Sequence, residues 1–187
     1  MDFIDEIVLA MKTLAGQKGR FLVSIALENK YLFECHNKHG KLKWRDTISN
    51  LVVNVGLDDI LDKYLKGSGY TAAHYMGLTD GTPTVAAGDD MTTHAGWVEV
   101  TAYDEGVRQT VVWGSVSGQS VDNSASKAVF TISANDTTIG GAFLTTDSTK
   151  GGSAGTLYGG GAFDAGDKTI DDDDTLTATV TATAAAS

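Results

Sequence analysis

Apolar positions recur at helical spacing from the start of the chain: Phe3, Ile4, Ile7, Val8, Met11 and Leu14. They predict an amphipathic helix over residues 2–15, with Asp2 and Asp5 in its first turn, Lys12 in its last and Gly16 as its stop. A helix this short is marginal alone in water, so its stripe calls for a partner surface. A run from Phe21 to Leu27 precedes two further apolar stretches, Tyr31–His36 and Lys41–Arg45, which flank the turn sequence Asn37-Lys38-His39-Gly40. Residues 30–46 therefore read as a β-hairpin with a charged tip.

The next apolar set is Ile48, Leu51, Val52, Val55, Ile60, Leu61, Tyr64 and Leu65. Its spacing predicts a helix capped by Thr47 or Ser49 and ended before Gly67. Gly56 inside it marks either close packing on a strand or a break into two shorter helices. From Ala73 the pattern turns strand-like. Strands are expected at 73–79, 96–102, 107–113, 115–121, 127–133, 138–145, 155–163 and 174–183, separated by Gly-, Asn- and Asp-rich turns. The stretch 84–95 is the longest candidate loop. Alternation in Ala128-Val129-Phe130-Thr131-Ile132 predicts a central strand with Phe130 and Ile132 inward and Thr131 on the other side.

Roughly eight strands at this spacing indicate a sandwich or jelly roll, not a βαβ fold. The expected class is mainly β: a jelly-roll-like antiparallel β-sandwich with an N-terminal helix and hairpin arm and one further helix. The expected division is an arm, 1–46, and a body, 47–187.

Charge is also uneven along the chain, which suggests two parts with different surroundings. Residues 1–66 hold ten Lys/Arg and nine Asp/Glu, whereas 67–187 hold four and fifteen. An acidic body disfavours nucleic acid, because binding there rests on neutralising phosphates. No apolar run approaches the ~20 residues that span a bilayer, so no membrane is expected. The acidic start, Asp2, Asp5 and Glu6, is wrong for a secretory signal and points to synthesis in a cytoplasm. The single cysteine, Cys35, excludes an internal disulfide.

Candidate chemistry is thin. Cys35, His36 and His39 give three soft ligands where a structural zinc site takes four, so the cluster reads as a hairpin tip. His74 and His94 bracket Asp80, Asp89 and Asp90, but acid–base work needs positioned groups that nothing here fixes. Asp171–Asp174 does not follow the alternating ligand spacing of a calcium loop and reads as an acidic turn. Ser115, Ser117 and Ser120 lack nucleophile-elbow glycines, and Gly159-Gly160-Gly161 opens no helix that would cradle a phosphate. Trp44, Trp97 and Trp113 suit core or subunit contacts better than a sugar platform. No enzyme and no cofactor are expected.

Three segments carry a resemblance: Asn50-Leu51-Val52-Val53-Asn54-Val55-Gly56-Leu57, Met76-Gly77-Leu78-Thr79-Asp80-Gly81-Thr82-Pro83-Thr84, and Val116 to Ser126. With Thr138 to Leu144 they make the region 40–187 similar to a family of tailed-phage virion structural proteins. The resemblance implies a capsid decoration, or cement, protein on the capsid exterior. Its partner would be the major capsid protein, and it would assemble as a small homo-oligomer, a trimer. A tail, connector or fibre-base component and a carbohydrate-binding adhesion module are the alternatives; a hydrolase is more remote. The expected partner-binding residues are Ile4, Ile7, Val8, Met11 and Leu14 on the arm helix, and Trp44 on the hairpin.

Overall fold

The longest ladder joins strand β1 (Ile25–His36) to β12 (Thr175–Ala186), antiparallel from Ile25↔Ala186 to His36↔Thr175. The computed structural model describes residues 25–70 and 73–186. The expected helix at 2–15, with Ile4, Ile7, Val8, Met11 and Leu14, lies outside them. So does most of the run from Phe21.

β1 turns back into β2 (Leu42–Val52) across Asn37–Lys41. Asn37 Oδ1 accepts the N–H groups of His39 and Lys41, both at 3.0 Å, and Gly40 takes a φ of 76°. This is the expected hairpin, extended at both ends. Tyr31, Phe33 and Cys35 of β1 face inward and are fully buried; Glu34 and His36 face away. β1 thus lies between two neighbours in the middle of the sheet. The expected boundary at residue 46 falls inside β2, and the described part of the arm belongs to the core.

The helix expected from residue 47 begins only at Asn54. Thr47 and Ser49 are not caps but strand residues, because Ile48 and its neighbours complete the ladder to β1 at Tyr31↔Ile48. Pairing on a strand whose inward side chains are fully buried outweighs a helical apolar spacing that the same residues also satisfy. Helix α1 (Asn54–Ile60) continues as one π-helical turn (Leu61–Leu65). A Cβ on Gly56 would stand 2.8 Å from the Cα and carbonyl oxygen of Tyr158. The glycine is therefore the site of close helix-on-strand packing.

The remaining strands are β3 (Tyr75–Thr79), β4 (Glu99–Val100), β5 (Gln109–Thr110), β6 (Ser120–Asp122), β7 (Ala128–Thr131), β8 (Thr137–Ile139), β9 (Gly141–Thr145), β10 (Leu157–Ala162) and β11 (Lys168–Ile170). The main sheet runs β4-β3-β9-β10-β2-β1-β12-β6, with β5 on β3 and β7 on β12; β8 and β11 pair separately. With 44% strand against 8% helix, the protein is mainly β, built on a curled antiparallel sheet. The expected strand 138–145 is split at Gly140, where a Cβ would lie 2.6 Å from Pro83 Cδ and 2.7 Å from Thr82 N. β11 was not expected, and the strands near 96–121 are only two or three residues long.

The curl comes at β2. Its first part pairs with β1, while Leu51 and Val52 pair with Gly160 and Gly159 of β10. The three consecutive glycines of β10 make this possible. A Cβ on Gly159 would meet the Asn50 amide at 2.7 Å, and one on Gly161 would meet Ile48 Cγ2 at 2.7 Å. Glycine in a strand here permits close backbone approach at a bend. Curling brings Tyr31, Phe33 and Ile48 into one core with Met76, Leu78, Leu144, Phe130 and Val180.

Phe130 and Ile132 are fully buried and Thr131 is half-buried, as the alternation requires. β7 is not central, however. It pairs only with Thr175–Ala178 of β12, beside the shorter β6.

Candidate interaction surface

Helix α1 carries more apolar surface than the sheet can cover. Its inner side sets Val53, Gly56 and Ile60 toward β10, with Tyr158 donating its hydroxyl hydrogen to Asp59 as an anchor. Burial and this carboxylate together raise the Tyr158 phenol above its ordinary value. The helix and the π-helical turn after it leave Leu57, Leu61, Tyr64 and Leu65 exposed, with Leu57 and Leu61, and Leu61 and Leu65, four residues apart. Tyr64 is 84% exposed and Leu65 73%. Scattered surface leucines need no explanation, but a contiguous apolar stripe marks a site of contact.

Beside this stripe lies a trough under the helix. One cavity of about 350 Å³ is lined by Leu27, Val52, Ile60, Trp113, Val116 and Val121 among others. A second, of about 290 Å³, is lined by Ile60, Lys63, Tyr64, Tyr70, His74 and Tyr158. The two share Ile60, Tyr70, His74 and Tyr158, so they lie side by side along the trough. Its floor is ordered. The Trp113 indole N–H donates to Nδ1 of His74 at 3.0 Å, and the His74 ring stands edge-on to Tyr158 at 4.8 Å. Burial holds the His74 pKa below its ordinary value, and an accepting Nδ1 is the neutral ring's arrangement.

The residues singled out for chemistry are used elsewhere. Cys35 points into the core, where burial pushes its thiol up to about 11, whereas His36 faces the other side of the strand and His39 sits exposed at the turn. His74 and His94 have separate surroundings. His94 stacks on Trp97 at 3.8 Å and contacts its carbonyl through Nδ1. Asp80 accepts from Val98 N, Asp89 from Ala86 N and the Trp97 indole, and Asp90 from Thr92 and Thr93. These carboxylates brace the expected 84–95 loop. The Thr92 and Thr93 donors bring Asp90 down to about 2.

In the Asp171–Asp174 turn, the Lys43 ammonium sits between Asp171 (3.0 Å) and the buried Asp174 (2.5 Å). Those hydrogen bonds raise the Lys43 pKa. A protein cation thus occupies the position that a calcium reading would assign to a metal. Among the described residues, no group of three or more His, Cys, Asp and Glu could hold a metal ion. Among the same residues, no helix is long and apolar enough to cross a membrane.

Trp44, expected at a partner contact, is half-buried and packs edge-on against Phe163 at 5.6 Å, with Lys168 Nζ 5.7 Å from its ring. It lines neither cavity of the trough. Sequence reasoning missed Leu57 and Tyr70 as surface contributors. The signal for Leu57 was present: Val55, Leu57, Ile60, Leu61, Tyr64 and Leu65 wrap more than one side of a short helix, which a single sheet cannot bury.

No protein-family model matches the chain, and no curated protein matches it.

Proposed function

We propose that this chain is a structural protein of a tailed-phage virion, and within it a decoration protein that binds the assembled capsid lattice. The observation that carries this reading is the outward stripe Leu57, Leu61, Tyr64 and Leu65. Its first residue, Leu57, ends one of the segments that carry the family resemblance, Asn50 to Leu57, which forms the end of β2 and the start of α1; Leu61, Tyr64 and Leu65 follow it in the π-helical turn. The surface supports a function of contact between proteins, where apolar and aromatic side chains supply most of the binding energy.

On this reading the curled sheet is a jelly-roll-like sandwich that projects outward, and three copies surround a lattice axis. The acidic body faces solvent. Each contact stabilises the shell because it forms only on the assembled lattice, so binding shifts the assembly equilibrium by mass action. The test is co-sedimentation of purified protein with undecorated capsids, comparing the parent chain with Leu61→Asp/Leu65→Asp. Both positions are already exposed, so the fold and melting temperature persist. The parent pellets with capsids and the variant stays in solution. Equal binding by both, with the same melting temperature, would overturn the assignment of this surface; no binding by the parent would overturn the decoration role.

A further inference from the structure

We propose that the trough beneath α1 binds one small amphipathic molecule, a medium-chain carboxylate. Its apolar chain lies against Leu27, Val52, Trp113 and Val121, and its carboxylate lies at the end marked by His74 and Lys63. The inference rests on the walls and polar groups of the trough and does not depend on the proposed place in a virion.

The apolar end is the cavity of about 350 Å³ walled by Leu27, Val52, Trp113, Val121 and Leu144. This volume falls at the lower end of the range that holds small molecules, about 300–1,000 Å³. Such sites combine an apolar lining with a few placed polar groups that fix orientation. The cavity of about 290 Å³ beside it supplies those groups: Lys63 lines only this one, and His74 lines both.

His74 is fixed as a donor. An indole N–H can only donate, so Nδ1, 3.0 Å from Trp113 Nε1, is the acceptor, and the neutral ring carries its proton on Nε2. Among the described residues no acceptor meets that N–H, and Nε2 is not sealed from solvent. Lys63 adds positive charge at the same end, and its approach to Asp62 is long, 3.9 Å, which leaves the ammonium available. Asp59, the carboxylate that acts on His74, is already engaged by the Tyr158 hydroxyl. A donor and a cation at one end of an apolar trough match an anionic acceptor joined to an apolar chain. They do not match an amine, and an alcohol would use only the donor.

The experiment is titration of the full chain with decanoate, below the concentration at which it forms micelles, followed by calorimetry and by the Trp113 indole N–H resonance. We expect saturable binding of one decanoate per chain and a shift of that resonance. 1-Decanol and decyltrimethylammonium should bind at least tenfold more weakly. Lys63→Glu should weaken decanoate at least tenfold, leaving the melting temperature and the binding of 1-decanol unchanged. Ala182→Leu, which adds volume inside the larger cavity, should abolish binding. No saturable binding of decanoate, or several molecules per chain with no shift at Trp113, would overturn the site. Equal affinity for decanoate and 1-decanol, or a Lys63→Glu variant that binds decanoate as the parent does, would overturn the carboxylate as its ligand. Full affinity in a folded Ala182→Leu variant would overturn the trough as the seat.

Discussion

Asn123 pairs with Val180 as a strand residue would: its Oδ1 accepts the Val180 N–H at 2.7 Å, and its own N–H donates to the Val180 carbonyl at 3.2 Å. Its side-chain amide also reaches the Ala178 carbonyl. The residue lies between β6 and β7, which pair end to end along the same side of β12. One buried side chain thus bridges the gap in the ladder and satisfies backbone groups that would otherwise have no partner.

Asn123→Ala should therefore cost about 1–3 kcal/mol, the penalty for leaving a buried backbone group unpaired. Thermal melting checks this: a drop of several degrees is expected, against none for the exposed Ser115→Ala. Equal, small effects from both would mean that the bridge does not hold β6 to β7.

Among the described residues, Arg108 is the most enclosed charge. It is fully buried and meets Glu99 through two hydrogen bonds, Nε to Oε1 at 3.0 Å and Nη2 to Oε2 at 2.7 Å. It also donates to the carbonyls of Asp147 and Gly152, so one guanidinium ties β4 to the 147–152 turn. Removing one member of such a pair strands the other charge. Arg108→Met should cost about 3–5 kcal/mol, whereas the double change Arg108→Met/Glu99→Leu should recover much of the loss. Chemical denaturation of the two variants measures this, and a double mutant no more stable than Arg108→Met would show that the pair acts through its contacts to the turn.

His74 gives the fold a dependence on pH. Its folded pKa lies below 6.5 because burial disfavours the charged ring, despite the opposing pull of Asp59. Between the folded value and 6.5 the unfolded chain binds more protons than the folded one, so stability rises with pH across that window. Its contribution is full above 6.5 and is lost as pH falls. Protonation would also remove the lone pair that accepts the Trp113 N–H. Melting at about pH 7.5 and about pH 5 should show a smaller difference in His74→Gln than in the parent. Equal differences in the two proteins would exclude His74 as a source.

Much of the fold was legible because period-two alternation and turn chemistry act locally. The hairpin around Asn37–Gly40 and the inward Phe130 and Ile132 follow from them. What was not legible depends on distant pairing. Ile48 and Val52 fit a helical stripe as well as a strand, and only the ladder to β1 and β10 decides between them. Residues 25–46 resemble a separate arm in charge and pattern, yet Tyr31, Phe33 and Cys35 meet residues about a hundred or more positions away. The surface beside α1 was half legible: the surplus of apolar residues could be counted, but which ones face outward follows from Gly56 seating the helix on Tyr158. Arg108 gave no signal of burial, since an isolated arginine ordinarily belongs to the surface.

The most direct test of the decoration role is the number of copies of this chain in purified virions, measured by quantitative mass spectrometry against the major capsid protein. A protein that covers the capsid lattice must be present in hundreds of copies, in a fixed simple ratio to the capsid subunit. A dozen copies or fewer would contradict the account and place the chain at a single vertex, in the tail or connector.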